Sequence, residues 1–183
     1  MHLPRRVLNT AVMSAVIACI ASAQPRTTFA QSNAAKLNDP TIVAIFDAAN
    51  TYDIQTSSIA VSKGHSRAIR DFAAMLVRDH RNVRMQGRNL AASLKVTPTP
   101  PRDFPLAKAH RAAMAALRHA HGREFDRVYL RQEVDFHNAV IDAVTTTLLP
   151  AIQNAQLKDL VTKVAPAFVA HRDRAQTLLN EIK

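Results

Sequence analysis

The sequence predicts an all-α protein built on four long helices, and three observations predict it. Glycine is scarce, with 3 residues in 183, while alanine and leucine abound. Alanine loses the least conformational freedom in a helix and glycine the most. Apolar residues recur at steps of three and four through most of the chain, which is the period of one helix face. No segment alternates apolar and polar residues beside an Asn-Gly or Asp-Gly dipeptide, so hairpin signals are missing. At 48% hydrophobic residues the chain has the material for one domain with its own core.

Residues 1–23 read as a secretory signal peptide. Arg5 and Arg6 supply the positive start, Leu8 to Ile20 is mostly apolar, and Ala21-Ser22-Ala23 offers a small-x-small cleavage pattern. The apolar stretch is shorter than the roughly 20 residues needed to span a bilayer. Thr28-Phe29-Ala30 is a second cleavage candidate. The expected home is the periplasm or the outer membrane. Val16-Ile17-Ala18-Cys19 also loosely matches a lipobox, which leaves a lipoprotein anchored through Cys19 as the alternative. Cys19 is the single cysteine, so cleavage after Ala23 leaves no thiol for disulfides or cysteine catalysis.

Residues 24–38 are polar and without period, a flexible lead. The bundle is expected over 39–183. Asn38-Asp39-Pro40 is a helix start, with a capping side chain followed by Pro in the first turn. Ile42, Ile45, Ala49, Asp53, Thr56 and Ala60 then trace one stripe of a helix over about 40–63, which Gly64 ends. Ser66 caps a second helix over about 66–95, striped by Ile69, Ala73, Leu76, His80, Val83, Gly87, Leu90 and Leu94. Thr97-Pro98-Thr99-Pro100-Pro101 stops it. A shorter helix over 102–121 carries Leu106, Ala109, Ala113 and Leu117 on one side, and Gly122 breaks it. A long helix over about 123–148 turns Phe125, Tyr129, Phe136, Val140 and Val144 inward, and Pro150 closes it. The last covers about 154–182, striped by Leu157, Val161, Val164, Phe168, His171, Ala175, Leu178 and Ile182. Pro166 lies inside that helix and is expected to kink or split it. The connection over about 96–122 is too long for an up-down-up-down bundle. It fits the ferritin-like arrangement, with one long crossover that contains a short extra helix.

Each long helix carries a polar exception near its midpoint. These are Asp53, His80, His137 and His171, with Glu133 one turn before His137. Helices of similar length bring their midpoints to similar height, so the five side chains are expected to converge at one level of the core. Imidazole with carboxylate suits zinc, iron, copper or manganese. The di-iron pattern of two Glu-x-x-His pairs is missing, because Val77 and Val134 stand three residues before His80 and His137. A buried His–carboxylate hydrogen-bond cluster is the first reading, and one transition-metal ion, the most the pattern supports, is the alternative. Burying Asp53 or Glu133 unpaired costs several kcal/mol, and a histidine partner would offset that. His65, His110, His119 and His121 read as surface residues. Ser57 and Ser58 lack a nucleophile elbow, so a serine hydrolase has no support.

The formal charge is +10. Removing Arg5 and Arg6 from 24 basic residues, against 14 acidic ones, leaves +8 for the mature chain. Arg67, Arg70, Arg78, Arg81, Arg84 and Arg88 fall mostly away from the apolar stripe, as on a solvated face. No nucleic-acid-binding motif accompanies them. An anionic envelope surface is the partner class such a charge admits.

Several of these residues together resemble one family. Asp79-His80 in the second helix, Phe125-Asp126-Arg127-Val128-Tyr129-Leu130 shortly after Gly122, His137 seven residues beyond Leu130, and Pro166 with His171 are similar to the pattern of DUF4142. That is a bacterial family of exported proteins with a ferritin-like bundle, often labelled outer-membrane proteins. The resemblance spans about 38–182. It implies fold and export, with no reaction attached, and His80, His137 and His171 match its pattern. Gln55 stands where a Glu is usual in the family, with Asp53 two residues earlier. The expected function is therefore a non-enzymatic binding or stress-related role in the envelope. The alternative is a mononuclear metal-binding or redox protein that uses the mid-bundle histidines.

Overall fold

The computed structural model describes residues 37–102 and 104–182. The signal segment, Cys19 and most of the polar lead lie outside the described residues. Among the described residues there is no strand, and no helix is long and apolar enough to cross a membrane.

Four long helices form the bundle: α1 (Asp39–Lys63), α2 (Arg67–Ser93), α4 (Gly122–Ala143) and α6 (Ala155–Glu181), with α3 (Pro105–His119) in the crossover. Asn38 and Ser66 are the N-caps the sequence announces, and Asn154 is a third. The side chains of Asn38, Ser66 and Asn154 accept from the backbone N–H of Thr41, Ile69 and Leu157, which satisfies donors that every helix start leaves orphaned. α2 ends in a Schellman-type turn. The Val96 N–H donates to the Ala91 carbonyl at 2.9 Å and the Lys95 N–H to Ala92 at 3.1 Å. Lys95 takes the left-handed conformation there, φ 55°, where glycine is usual.

The core has two apolar halves. One joins the start of α1 (Ile42, Phe46), the end of α2 (Ala91), the end of α4 (Val140) with Val144 just beyond it, and α6 from its start to its middle (Leu157, Phe168). The other joins Ala60, Ile69 and Leu76 to Phe125, Tyr129, Ala175 and Leu178. α1 and α6 therefore run one way while α2 and α4 run the other, so the chain must travel the bundle's length between α2 and α4. The crossover does this, and α3 packs on α1 and α4 as it passes.

Two end clamps repeat in the two helical hairpins. Asp126, near the start of α4, accepts from the backbone N–H of His65 and Ser66 at 2.8 and 3.0 Å, just before α2. Asp39, at the start of α1, accepts from Gln153 and Asn154 at 3.0 and 2.9 Å, just before α6. Each carboxylate ties one hairpin to the opposite one at the N-terminus of a helix, where the backbone dipole favours negative charge.

Three expectations need correction. Pro150 does not close the fourth helix. The chain makes a π-helical turn over Val144–Leu148, and the α-turn α5 (Leu149–Ala151) follows. The Leu149 N–H reaches Val144, five residues back, so Pro150 falls at the start of a new turn, where its missing N–H costs little. Pro166 does not split α6, which continues to Glu181. Pro166 and Thr162, whose carbonyl loses its partner, are both exposed, so water can serve that carbonyl. The short helix spans Pro105–His119 rather than 102–121.

Candidate functional site

The five predicted residues do meet, in a buried layer between the two apolar halves. His80, His137 and His171 face one another with ring centroids 5.2–5.6 Å apart. The Phe168 ring stacks on His80 at 5.8 Å. On the other side, His80 Nε2 lies 3.3 Å from Asp53 Oδ2 and His137 Nε2 lies 3.8 Å from the same oxygen. Glu133 Oε2 is 3.6 Å from His137 Nδ1. Two overlapping groups result, His80–His137–His171 and Asp53–Glu133–His137, and each has its donor atoms within 4.8 Å of one another.

The hydrogen bonds around the layer fix which nitrogen of each ring carries the proton. The Asn50 amide N–H donates to the Phe46 carbonyl at 2.8 Å, so its Oδ1 is the atom that faces His80 Nδ1 at 3.0 Å. His80 Nδ1 must then be the donor. His137 Nδ1 donates to the Glu133 backbone carbonyl at 2.9 Å. His171 Nε2 donates to Asp79 Oδ2 at 3.3 Å. Each ring is anchored through one N–H, which leaves the other nitrogen as a bare lone pair when the ring is neutral.

Those bare nitrogens are the ones left over. His80 Nε2, His137 Nε2 and His171 Nδ1, with Asp53 Oδ2 and Glu133 Oε2, are buried and have no hydrogen-bond partner among the described residues. Native interiors rarely leave such atoms unpaired. Five in one layer set this region apart from an ordinary polar cluster.

Electrostatics keep the His80 and His137 rings neutral. Burial lowers His80 to about 3, helped by His171, while Asp79 pulls it up. Burial lowers His137 to about 4 against the attraction of Asp53. Burial also raises Asp53, though His137 and a hydrogen bond with Glu133 counter it. Glu133 is pushed well above the usual carboxylate range, first by burial and then by the Asp53 charge. Burial and the Asp53 charge thus favour the protonated form of Glu133. Asp53 is held further by a chain of hydroxyls: the Ser57 O–H donates to Oδ1 at 3.2 Å, and Ser57 Oγ lies 2.9 Å from the Tyr129 hydroxyl. Ser57 has one proton and gives it to Asp53, so Tyr129 donates to Ser57.

Sequence reasoning missed several contributors. Asn50 is fully buried and orients His80, yet it stands off the stripe drawn for α1. Ser57 was considered only as a nucleophile. Asp79 entered only as a neighbour of His80. Gln55, at the position where the resemblance expects a Glu, is exposed and pairs with His110 Nε2 at 2.8 Å. It faces α3 and takes no part in the layer. His110 departs from the surface reading, since it is half-buried and stacked on Tyr52 at 4.3 Å, while His65, His119 and His121 are exposed as expected.

Fold and site together define a four-helix bundle with one long crossover and a polar, histidine-rich layer at mid-height. The chain belongs to the DUF4142 family, a domain of unknown function, whose model matches residues 24–178. Among solved structures it is similar to a DUF305 fragment from Deinococcus radiodurans. The TM-score is 0.69 at 14% identity, over 78% of this chain and 95% of that one. That likeness concerns the fold. No curated protein matches the chain.

Proposed function

We propose that this protein binds one transition-metal ion in the mid-bundle layer, through His80, His137, His171 and Asp53, with Glu133 as a further oxygen donor. The observation that carries the reading is the pair of imidazole lone pairs aimed at one carboxylate oxygen. His80 Nε2 and His137 Nε2, each bare because the other nitrogen is the donor, face Asp53 Oδ2 at 3.3 and 3.8 Å. Acceptor facing acceptor in a dry interior is repulsive, and a cation between them reverses the sign. Donors at about 2.0–2.2 Å from a zinc-like ion stand roughly 3.0–3.6 Å apart at tetrahedral to octahedral angles. The two spacings to Asp53 Oδ2 need a closure of a few tenths of an ångström at most, and the donor atoms within each of the two overlapping groups lie within 4.8 Å of one another.

The anchoring pattern supports the same reading. Metal-ligating imidazoles characteristically donate their second N–H to a carboxylate, carbonyl or amide oxygen, which fixes ring and tautomer. Asn50, the Glu133 carbonyl and Asp79 are three such acceptors. When bound, the ion would supply a Lewis-acidic centre held by nitrogen and oxygen. A closed His–carboxylate network, the competing reading, predicts that the inward atoms satisfy one another, and the three bare imidazole nitrogens have no such partner. With the secretory signal expected at residues 1–23, the role we infer is metal binding in the cell envelope.

Elemental analysis of the full chain purified without chelator, followed by titration with Co²⁺, Ni²⁺, Zn²⁺ and Cu²⁺, tests this. One equivalent of ion, lost when His80, His137 and His171 are all changed to Gln, is the expected result. Failure of every ion to bind at micromolar concentration would overturn it.

A further inference from the structure

We infer that metal enters and leaves the layer through the seam between α2 and α6, with His171 as the ligand that swings out and Asp79 as the outer station that receives the cation. The inference rests on the metal-binding reading above and adds a route and a moving part to it.

The other four donors lie deeper, with side chains 0–2% exposed. The two apolar halves cap the layer along the bundle axis. On the α1–α4 side α3 lies across the bundle, with Phe104 and His110 packed on Tyr52. A cavity of about 490 Å³ on that side is lined by Tyr52, His110, Gln132 and Phe136, and a second of about 270 Å³ reaches Asn50 and Phe168, but neither is lined by any of the five donor residues. On the α2–α6 side the layer comes within one side chain of water. His171 is 8% exposed, and the Asp79 that anchors it is 34% exposed.

The anchors decide which ring can move. If His80 rotated out, Asn50 Oδ1 would be left as a buried acceptor with no partner. If His137 rotated, its buried ring N–H would lose the Glu133 carbonyl, which itself keeps the His137 backbone N–H as its helical partner. Each orphaned buried polar group carries a penalty that His171 does not incur, so either motion is rare. When His171 rotates, it releases Asp79, which water can solvate at once. His171 is therefore the ligand whose departure is cheapest, and its Nδ1 is the inward atom nearest the seam. Asp79 also has a competitor, since Arg78 pairs with its Oδ1 at 3.1 Å. An incoming cation must displace Arg78 before it can use that carboxylate.

The first test needs no metal. In metal-free full-length protein, diethyl pyrocarbonate should modify His171 at least about tenfold faster than His80 or His137, because local opening free energies differ by more than about 1.4 kcal/mol. Peptide mass mapping reads this, with exposed His65, His119 and His121 as internal standards. Protection of His171 equal to that of His80 and His137 would overturn the proposal. The second test is stopped-flow Co²⁺ uptake. D79N keeps a hydrogen-bond acceptor for His171 but loses the charge, and uptake should slow by about tenfold. R78A frees the carboxylate and should speed it. Uptake rates unchanged in both variants would refute the gate while leaving metal binding intact. Absence of Co²⁺ binding in the wild type would refute the metal reading, and the modification rates would still decide the mobility of His171.

Discussion

Asp53→Asn should make the metal-free protein more stable and the metal-binding protein far weaker. In the wild type, Asp53 Oδ2 faces two bare imidazole nitrogens at 3.3 and 3.8 Å, and Oδ1 already accepts from Ser57 at 3.2 Å. An Asn here keeps Oδ1 on Ser57 and turns its NH₂ toward His80 Nε2, so a repulsive contact becomes a hydrogen bond of about 1 kcal/mol. It also removes a desolvated carboxyl, and replacing buried charge with neutral groups is worth up to about 1–4 kcal/mol. A gain of about 1–3 kcal/mol is expected, or roughly 3–10 °C in Tm for a bundle of this size. Metal has the opposite effect. At free ion 100-fold above Kd the wild type should gain about 2.7 kcal/mol, whereas the variant, without its anionic ligand, should gain almost nothing. Calorimetry with chelator and then with added Co²⁺ measures both halves. A carboxylate retained for structure would lose stability when neutralised. A metal-free D53N melting below the wild type would therefore refute the argument.

Three further outcomes follow from the same geometry. Glu133→Gln should gain stability relative to wild type as pH rises above about 4.5. The native pKa of Glu133 is raised by burial, so its contribution is fully present below the unfolded value and is lost as pH climbs, by up to about 1.4 kcal/mol per unit. Urea midpoints of metal-free protein at pH 5, 6 and 7 read this, and a difference independent of pH would contradict it. Gly87→Ala should cost about 1–2 kcal/mol despite its better helix propensity, since the new Cβ would stand 2.8–2.9 Å from the Phe46 ring; a urea midpoint at or above wild type would count against the close packing of α1 on α2. Lys95→Gly should add about 0.5–1 kcal/mol by relieving the left-handed backbone, and an unchanged or lower Tm would refute the strain.

The last helix was the most legible in the sequence, and the first the least. Every residue of α6 that is buried, from Leu157 through His171 to Leu178, belongs to the stripe read from spacing. α6 packs one face inward, so a single period describes it. α1 is enclosed by α2, α3 and α4 together. Its buried residues include Val43, Phe46, Asn50 and Ser57 beside the expected stripe. A helix buried on two faces has no single period to read, and Asn50 was lost for that reason. Asp79 was lost for another. It sits about 100° round the helix from His80, and only the position of α6 gives it His171 as a partner 92 residues away. The three histidines and two acids were legible because mid-helix polar residues on an apolar stripe conflict with the local pattern. Such conflicts are expected where function overrides packing.

The same conflict bears on why the bundle is built as it is. Buried acceptors without a partner in one layer, the three bare imidazole nitrogens above all, are a standing cost of several kcal/mol, and the layer interrupts what would otherwise be one continuous core. The fold meets this with two full apolar halves and with clamps at both ends. Asp39 and Asp126 each seize two backbone N–H groups from the opposite hairpin, which fixes how far the hairpins can slide along one another. Axial slippage of one residue moves a side chain by about 1.5 Å, enough to break a coordination geometry that tolerates only tenths of an ångström. The clamps lie at the ends of the bundle, far from the histidines, yet they hold the two hairpins in register. Asp53 and His80 come from one hairpin, and His137 and His171 from the other, so the site exists only while that register holds.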